Sequence, residues 1–155
     1  MNLNIAYLAD YPAHLTLLAE WMFTTWGHYN PGSSIERIQS KLADHLKRDS
    51  LPITLIALDN NRPVGTCSLR INDGIRPDLT PWLASLFVLP EYRGQGVGEK
   101  LIDAITQEAR RLHFTKLYLL AFDPILPNWY QRLGWQGIGI DELHGNTVSV
   151  MEKSI

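Results

Sequence analysis

The segment from Trp82 to Leu112 constrains the fold more than any other part of the chain. It opens with an apolar run, Trp82-Leu83-Ala84-Ser85-Leu86-Phe87-Val88, and passes through Arg93-Gly94-Gln95-Gly96-Val97-Gly98 into an amphipathic stretch. A short, nearly continuous apolar run marks a strand buried on both faces, at the centre of a sheet. After the glycines, Leu101, Ile102, Ile105, Ala109 and Leu112 share one helical face, and Glu99, Lys100, Asp103, Gln107, Arg110 and Arg111 cover the other. Lys116 to Ala121 reads as the next strand, so the crossover through this helix is parallel and right-handed. Glycines at a strand-to-helix junction let the backbone approach a ligand closely. The first turn of a helix adds unpaired N–H groups and a positive dipole end. The junction is therefore predicted to be a socket for a phosphate or pyrophosphate.

The flanking sequence supplies the rest of a domain. Asn4 to Leu8 reads as a first strand. Asp10 before Pro12 suits a helix start, and Leu15, Leu18, Ala19, Met22 and Phe23 carry that helix to about Thr25. Ser33 and Glu36 form a capping box, and Ile35, Ile38, Leu42 and Leu46 extend a second helix to about Arg48. Ile53–Leu58 and Val64–Ile71 are strands about an Asn60-Asn61 turn, and Asn72 to Pro81 is a loop. Asn128 to Leu133 is a short helix stopped by Gly134. Trp135–Ile140 and Thr147–Met151 close as a pair around His144-Gly145-Asn146. The order is β-α-α-β-β-β-α-β-α-β-β, an α/β (α+β) domain with a mixed, mostly antiparallel central sheet and helices on both faces.

Composition narrows the partners. A chain of 155 residues, 45% hydrophobic and 19% charged, fits one domain over residues 1–155 with a substantial core. A net charge of −2 gives no field to capture nucleic acid. The single cysteine, Cys67, permits no intramolecular disulfide and reads as a buried structural thiol. No apolar run approaches the roughly 18 residues of a membrane span. No basic n-region opens the sequence, so a cytoplasmic location without membrane contact is expected. No spacing of His, Cys, Asp or Glu suggests a metal site.

Two familiar nucleotide motifs fail at the glycine turn. The glycines fall at 94, 96 and 98, which is not the G-x-G-x-x-G spacing, and Gly98 is followed by Glu99 rather than Lys-Ser/Thr. The segment Leu86 to Gly98 instead resembles the acetyl-CoA motif of the GNAT superfamily of N-acetyltransferases, Gln/Arg-x-x-Gly-x-Gly/Ala, which Arg93, Gly96 and Gly98 match. Trp129-Tyr130-Gln131-Arg132-Leu133-Gly134-Trp135 is similar to the family's second motif, an aromatic-Tyr-x-x-Leu-Gly-aromatic run. The two stand in the family's order, one helix and one strand apart. The resemblance implies acetyl-CoA as co-substrate. The backbone N–H groups of Arg93, Gly94, Gln95, Gly96, Val97 and Gly98 would hold its pyrophosphate. The backbone of Leu86, Phe87 and Val88 would pair with its pantetheine arm in the manner of an added strand. A homodimer also belongs to what the resemblance implies.

The resemblance further implies an acetyl transfer by direct attack of a primary amine on the thioester, with Tyr130 as the acid that protonates the departing thiolate. Asp73 is the candidate base, and it is also open to a turn-forming reading in Asn72-Asp73-Gly74. Asp78, Glu91 and Asp123 are weaker candidates, and His28, His113 and His144 read as surface residues. Where many relatives carry an Asn seven residues before the acid Tyr, this chain has Asp123, so that contact with the cofactor arm is expected to be missing. The acceptor, a small amine, an aminoglycoside-like compound or a protein N-terminus, is expected to enter between the first two helices and the final β pair. Trp26 and Tyr29 suit an aromatic wall there, Trp21 reads as helix packing, and Tyr7 belongs to the same crowded region. A second reading is a GNAT-fold module that binds CoA or acyl-CoA without catalysis.

Overall fold

The central position expected of Trp82–Val88 is observed. In the computed structural model, which describes residues 1–155, the strands are β1 (Leu3–Tyr7), β2 (Ile53–Asp59), β3 (Arg62–Arg70), β4 (Trp82–Val88), β5 (Lys116–Ala121), β6 (Gln136–Leu143) and β7 (Asn146–Ser154). They form one sheet in the order β1-β2-β3-β4-β5-β7-β6, which puts β4 in the middle. Every neighbouring pair is antiparallel except β4 with β5. The helices are α1 (Leu15–Trp26), α2 (Ile35–Ala43), α3 (Val97–Arg111) and α4 (Leu126–Arg132).

Strand alternation sends the apolar residues of β2 to two different cores. Ile53, Leu55 and Ala57 join Val64, Cys67 and Leu69 of β3 beneath Leu101, Ile102, Ile105 and Ala109 of α3. Ile56 and Leu58 face the other way and meet Leu18, Met22 and Leu42 of α1 and α2. Each such fully buried Leu or Ile contributes on the order of 1.5–3 kcal/mol. Cys67 is buried in the first of these cores, as a structural thiol should be.

Helix starts are where the structure departs from expectation. Asp10 caps nothing; short 3-10 turns at Leu8–Asp10 and Pro12–His14 precede α1, which begins only at Leu15. The cap of α2 is Ser34, not Ser33: its Oγ accepts the Arg37 N–H at 3.1 Å. That helix stops at Ala43, so His45 lies in the following turn and is turned inward. The closing hairpin is longer than its apolar residues suggest. It turns tightly on His144 (φ 51°) and Gly145 (φ 80°), and its Asn146 Nδ2 donates to the Tyr29 carbonyl at 2.9 Å. This bond ties the hairpin tip to the segment following α1.

Candidate active site

The site begins with a strand that lets go of one neighbour. β4 pairs with β3 from Gly65 to Arg70, yet its only register position with β5 is Trp82↔Tyr118. Ser85, at φ 54°, bulges, and the β3–β4 register slips between Thr66 and Ser68 opposite it. Beyond the bulge the two parallel strands diverge. The Leu89 N–H donates to the Val64 carbonyl at 2.9 Å. By antiparallel alternation Phe87 also turns its N–H and C=O toward β3, and Leu86 and Val88 turn theirs into the gap. Of the three residues expected to pair with a cofactor arm, only Leu86 and Val88 therefore have backbone groups on the gap side; those of Phe87 face β3. Phe87 contributes its ring instead, which packs on Trp21 (centroids 5.1 Å apart) and beneath the Arg93 guanidinium (5.7 Å). Arg93 Nε donates to the Val88 carbonyl at 2.9 Å and so pins the turn to the end of β4.

The turn itself has the predicted geometry. Gly94 (φ 73°) and Gly96 (φ 85°) take left-handed conformations that other residues adopt only with strain. Gly96 immediately precedes α3, and no side chain caps that helix. The Arg93 N–H, expected in the donor row, is instead taken by the Pro90 carbonyl at 3.2 Å; those of Gly94 through Glu99 have no acceptor within the protein, and the first α3 amide to find one is Lys100, on the Gly96 carbonyl at 3.1 Å. A consecutive row of unpaired donors at the start of a 15-residue helix matches the needs of a pyrophosphate. Gln95 steadies the loop by donating from Nε2 to the Glu91 carbonyl at 2.9 Å.

A cavity of about 860 Å³ joins this turn, the β4–β5 gap and the surface between α1, α2 and the β6–β7 tip. Tyr130, on α4, lines it and is 6% exposed, wedged edge-on against Trp129 (4.9 Å) and Trp135 (5.9 Å). Burial, and secondarily the nearby Cys67, pushes its phenol well above the ordinary range, so it stays protonated at neutral pH. Asp73 also lines the cavity. The turn there is closed by its neighbour, since the Gly74 N–H donates to Asn72 Oδ1 at 2.6 Å. Asp73 is thus released from the turn-forming role. Its side chain, 19% exposed, lies 3.3 Å from Arg70 Nη1. Burial raises its carboxyl to about 6, against the opposing pull of Arg70.

The other candidates separate clearly. Glu91 is exposed and paired with Arg62 at 3.0 Å. Asp123 lines the cavity, but its Oδ1 accepts the Ile125 N–H at 2.9 Å within its own turn. Asp78, His28 and His113 lie outside the cavity lining, whereas His144 is part of it. Trp26 and Tyr29 both line the cavity, and Tyr29 stacks on Phe122 at 4.0 Å and 9°. Tyr7 does not belong there: its hydroxyl donates to Glu108 of α3, on the opposite face of the sheet.

Three buried polar residues escaped the sequence reading. His45 Nδ1 lies 2.8 Å from Thr54 Oγ1, which lies 2.7 Å from Ser68 Oγ. His45 and Ser68 line the cavity. Burial, reinforced by Arg70, lowers the His45 imidazole to about 4, so it is neutral at physiological pH. Each comes from a different element, and only the fold brings them together. The available signal was a polar residue at an inward position of an otherwise apolar strand, at Thr54 and again at Ser68.

The pattern that defines the Acetyltransferase (GNAT) family matches residues 15–135. The chain belongs to that family. An amino-acid acetyltransferase of Edwardsiella ictaluri is 34% identical over 61 residues, 39% of this chain and 13% of that protein. A spermine/spermidine N(1)-acetyltransferase of Bacillus subtilis is 34% identical over 74 residues, 46% of this chain and 49% of that protein. The chain therefore spans about half the length, or less, of these curated relatives. Among solved structures, an acetyltransferase from Streptococcus agalactiae shares the fold with a TM-score of 0.74 at 24% identity, covering 100% of this chain and 99% of that one. An aminoglycoside 6'-N-acetyltransferase complexed with coenzyme A gives 0.73 at 17%, covering 97% and 96%. The family and mixed-sheet fold expected from the two motifs are both met.

Proposed function

We propose that this protein transfers an acetyl group from acetyl-CoA to a primary amine on a small molecule or peptide. The observation that carries the reading is the shared cavity: unpaired backbone donors at the glycine turn, a strand edge left open at Leu86 and Val88, and the buried phenol of Tyr130 all face one space. Acetyl-CoA, when bound, supplies the acetyl group as a thioester open to direct attack. The N–H groups from Gly94 to Gly98, with Arg93 bracing the turn, hold the pyrophosphate. Leu86 and the Val88 N–H receive the pantetheine arm as a strand would be received, the Val88 carbonyl being held by Arg93. Their N–H groups also supply the donor that stabilises negative charge on the thioester oxygen. Tyr130 keeps its proton until the departing sulfur carries charge, and then donates it. Asp73, with its carboxyl raised toward neutrality, is ionised at pH 7 yet more basic than an ordinary carboxylate, which suits it to take the proton of the incoming ammonium.

Titration calorimetry with acetyl-CoA, followed by CoA release with a panel of amines, tests this reading. Tyr130→Phe should lower kcat by about 10²–10⁴-fold and leave the Kd for acetyl-CoA unchanged. Full turnover by that variant would remove Tyr130 from the chemistry. Tight acetyl-CoA binding with no turnover of any amine would favour the non-catalytic CoA-binding module instead.

A further inference from the structure

The Arg70 guanidinium has no part in the chemistry above, yet it faces the same cavity. Arg70 ends β3 on the face turned toward α1 and α2, two residues past Ser68. Its one side-chain hydrogen bond, Nη1 to Asp73 Oδ1 at 3.3 Å, engages one of the five N–H donors of a guanidinium. Its side chain is 31% exposed, so the remaining donors are accessible from the cavity. The other charged side chain at this end is Lys41 of α2. Of the remaining acidic lining residues, Glu99 stands beside Gly96 at the start of α3, and Asp123 is engaged in its own turn. His45, beside Arg70, is uncharged at neutral pH.

The cavity lining thus sets the Arg70 guanidinium directly beside the carboxylate of Asp73, with Lys41 of α2 also in the lining. A lone ammonium finds an Asp73 already shared with Arg70. A substrate that carries a carboxylate beside its amine satisfies both groups at once, because the ammonium takes Asp73 and the carboxylate takes the unused fork of Arg70. Ordinary bond lengths put the nitrogen and a carboxylate oxygen of an α-amino acid about 3 Å apart. Arg70 and Asp73 stand 3.3 Å apart, close enough for one small molecule to reach both.

We infer that the acceptor is a free α-amino acid, its carboxylate held by Arg70 and its amine presented to the thioester beside Asp73. This rests on the acetyltransferase reading of the cavity. The uncharged wall of Trp26, Tyr29 and Phe122 receives the amino-acid side chain. The N–C amide bond forms as the C–S bond breaks. The ammonium gives up two protons in all, one released through Asp73 and one balanced by the proton that the thiolate gains from Tyr130.

The test uses the wild-type protein with CoA or acetyl-CoA, the common free amino acids, and the carboxamide of each. At least one amino acid should raise the Tm of the CoA-bound protein and be acetylated, with its carboxamide weaker in kcat/KM by about ten-fold or more. Arg70→Gln should bring that amino acid down to the level of its carboxamide while the Kd for acetyl-CoA stays constant. Equal handling of amino acid and carboxamide, or faster acetylation of spermidine or an aminoglycoside than of any amino acid, would overturn the assignment. Failure to bind acetyl-CoA would instead count against the acetyltransferase reading. In that event the Tm of the unliganded protein with amino acid against carboxamide decides the role of Arg70, since no difference overturns it.

Discussion

The two edges of β4 behave in opposite ways. Toward β3 it is zipped at five register positions. The strands there are packed so closely that a Cβ added at Gly65 would lie 3.0 Å from the Phe87 carbonyl oxygen and 3.1 Å from Leu101 Cδ1. Toward β5 it has a single register position, and the strand then opens on a cavity of about 860 Å³. The same residues make both edges, so side-chain hydrophobicity does not distinguish them. The difference comes from the bulge at Ser85 and from a turn that ends in Gly96 rather than in a capping side chain. An unpaired strand edge is ordinarily a liability. Here it faces inward, where it can pair only with something that enters the cavity. Pairing and packing are concentrated on the closed edge, and the cavity lies on the open one.

Substitutions can break this division. The largest effect is expected on the open edge. Gly96→Trp should weaken acetyl-CoA binding by on the order of 100-fold, because the side chain occupies the space beside the donor row, while the strained φ costs only about 1–2 kcal/mol of stability. Calorimetry and a thermal melt measure the two separately, and undiminished affinity would detach the turn from its ligand.

Next comes the pH response of the acceptor end. Asp73 holds its proton more tightly when folded, at about 6 against 3.8, so its contribution to stability falls as pH rises through that window. His45 does the reverse. Its folded value is about 4 against 6.5, so stability is lost as pH falls from 6.5 toward 4. In the wild type the two slopes nearly cancel. Asp73→Asn leaves His45 unopposed and should lose roughly 3 kcal/mol more than wild type between pH 7 and pH 4. Urea melts at the two pH values check this, and parallel losses would contradict it. In the same variant, log kcat/KM should lack the extra unit of slope that wild type gains below about pH 6.

The smallest effect is expected on the closed edge. Gly65→Ala should cost about 1–3 kcal/mol through its contacts with the Phe87 carbonyl and Leu101, with the acetyl-CoA Kd unchanged. A change in affinity as large as that of Gly96→Trp would mean that the two edges are mechanically coupled.

Much of this was legible in the residues because the signals were local. Trp82–Val88 and Lys116–Ala121 are strands with the boundaries that their apolar runs mark. The Asn60-Asn61 turn takes the left-handed conformations that its residue types favour, at φ 48° and 72°. Helix starts were less legible. Ser33 and Ser34 are adjacent and chemically equal, and backbone geometry rather than residue type selects the cap. His45 was invisible as a site residue, since nothing near it in sequence announces Thr54 or Ser68 as partners.

By itself, the sequence determined the family, the order of elements and the place of the glycine turn. These follow from side-chain periodicity and glycine's backbone freedom, which act over a few residues. The tertiary structure alone decided which edge of β4 opens and which of Leu86, Phe87 and Val88 face it. It also released Asp73 from its turn to stand beside Arg70, and it joined His45, Thr54 and Ser68 beneath the cavity. Those outcomes depend on strand register and burial, quantities that a residue acquires only from neighbours far away along the chain.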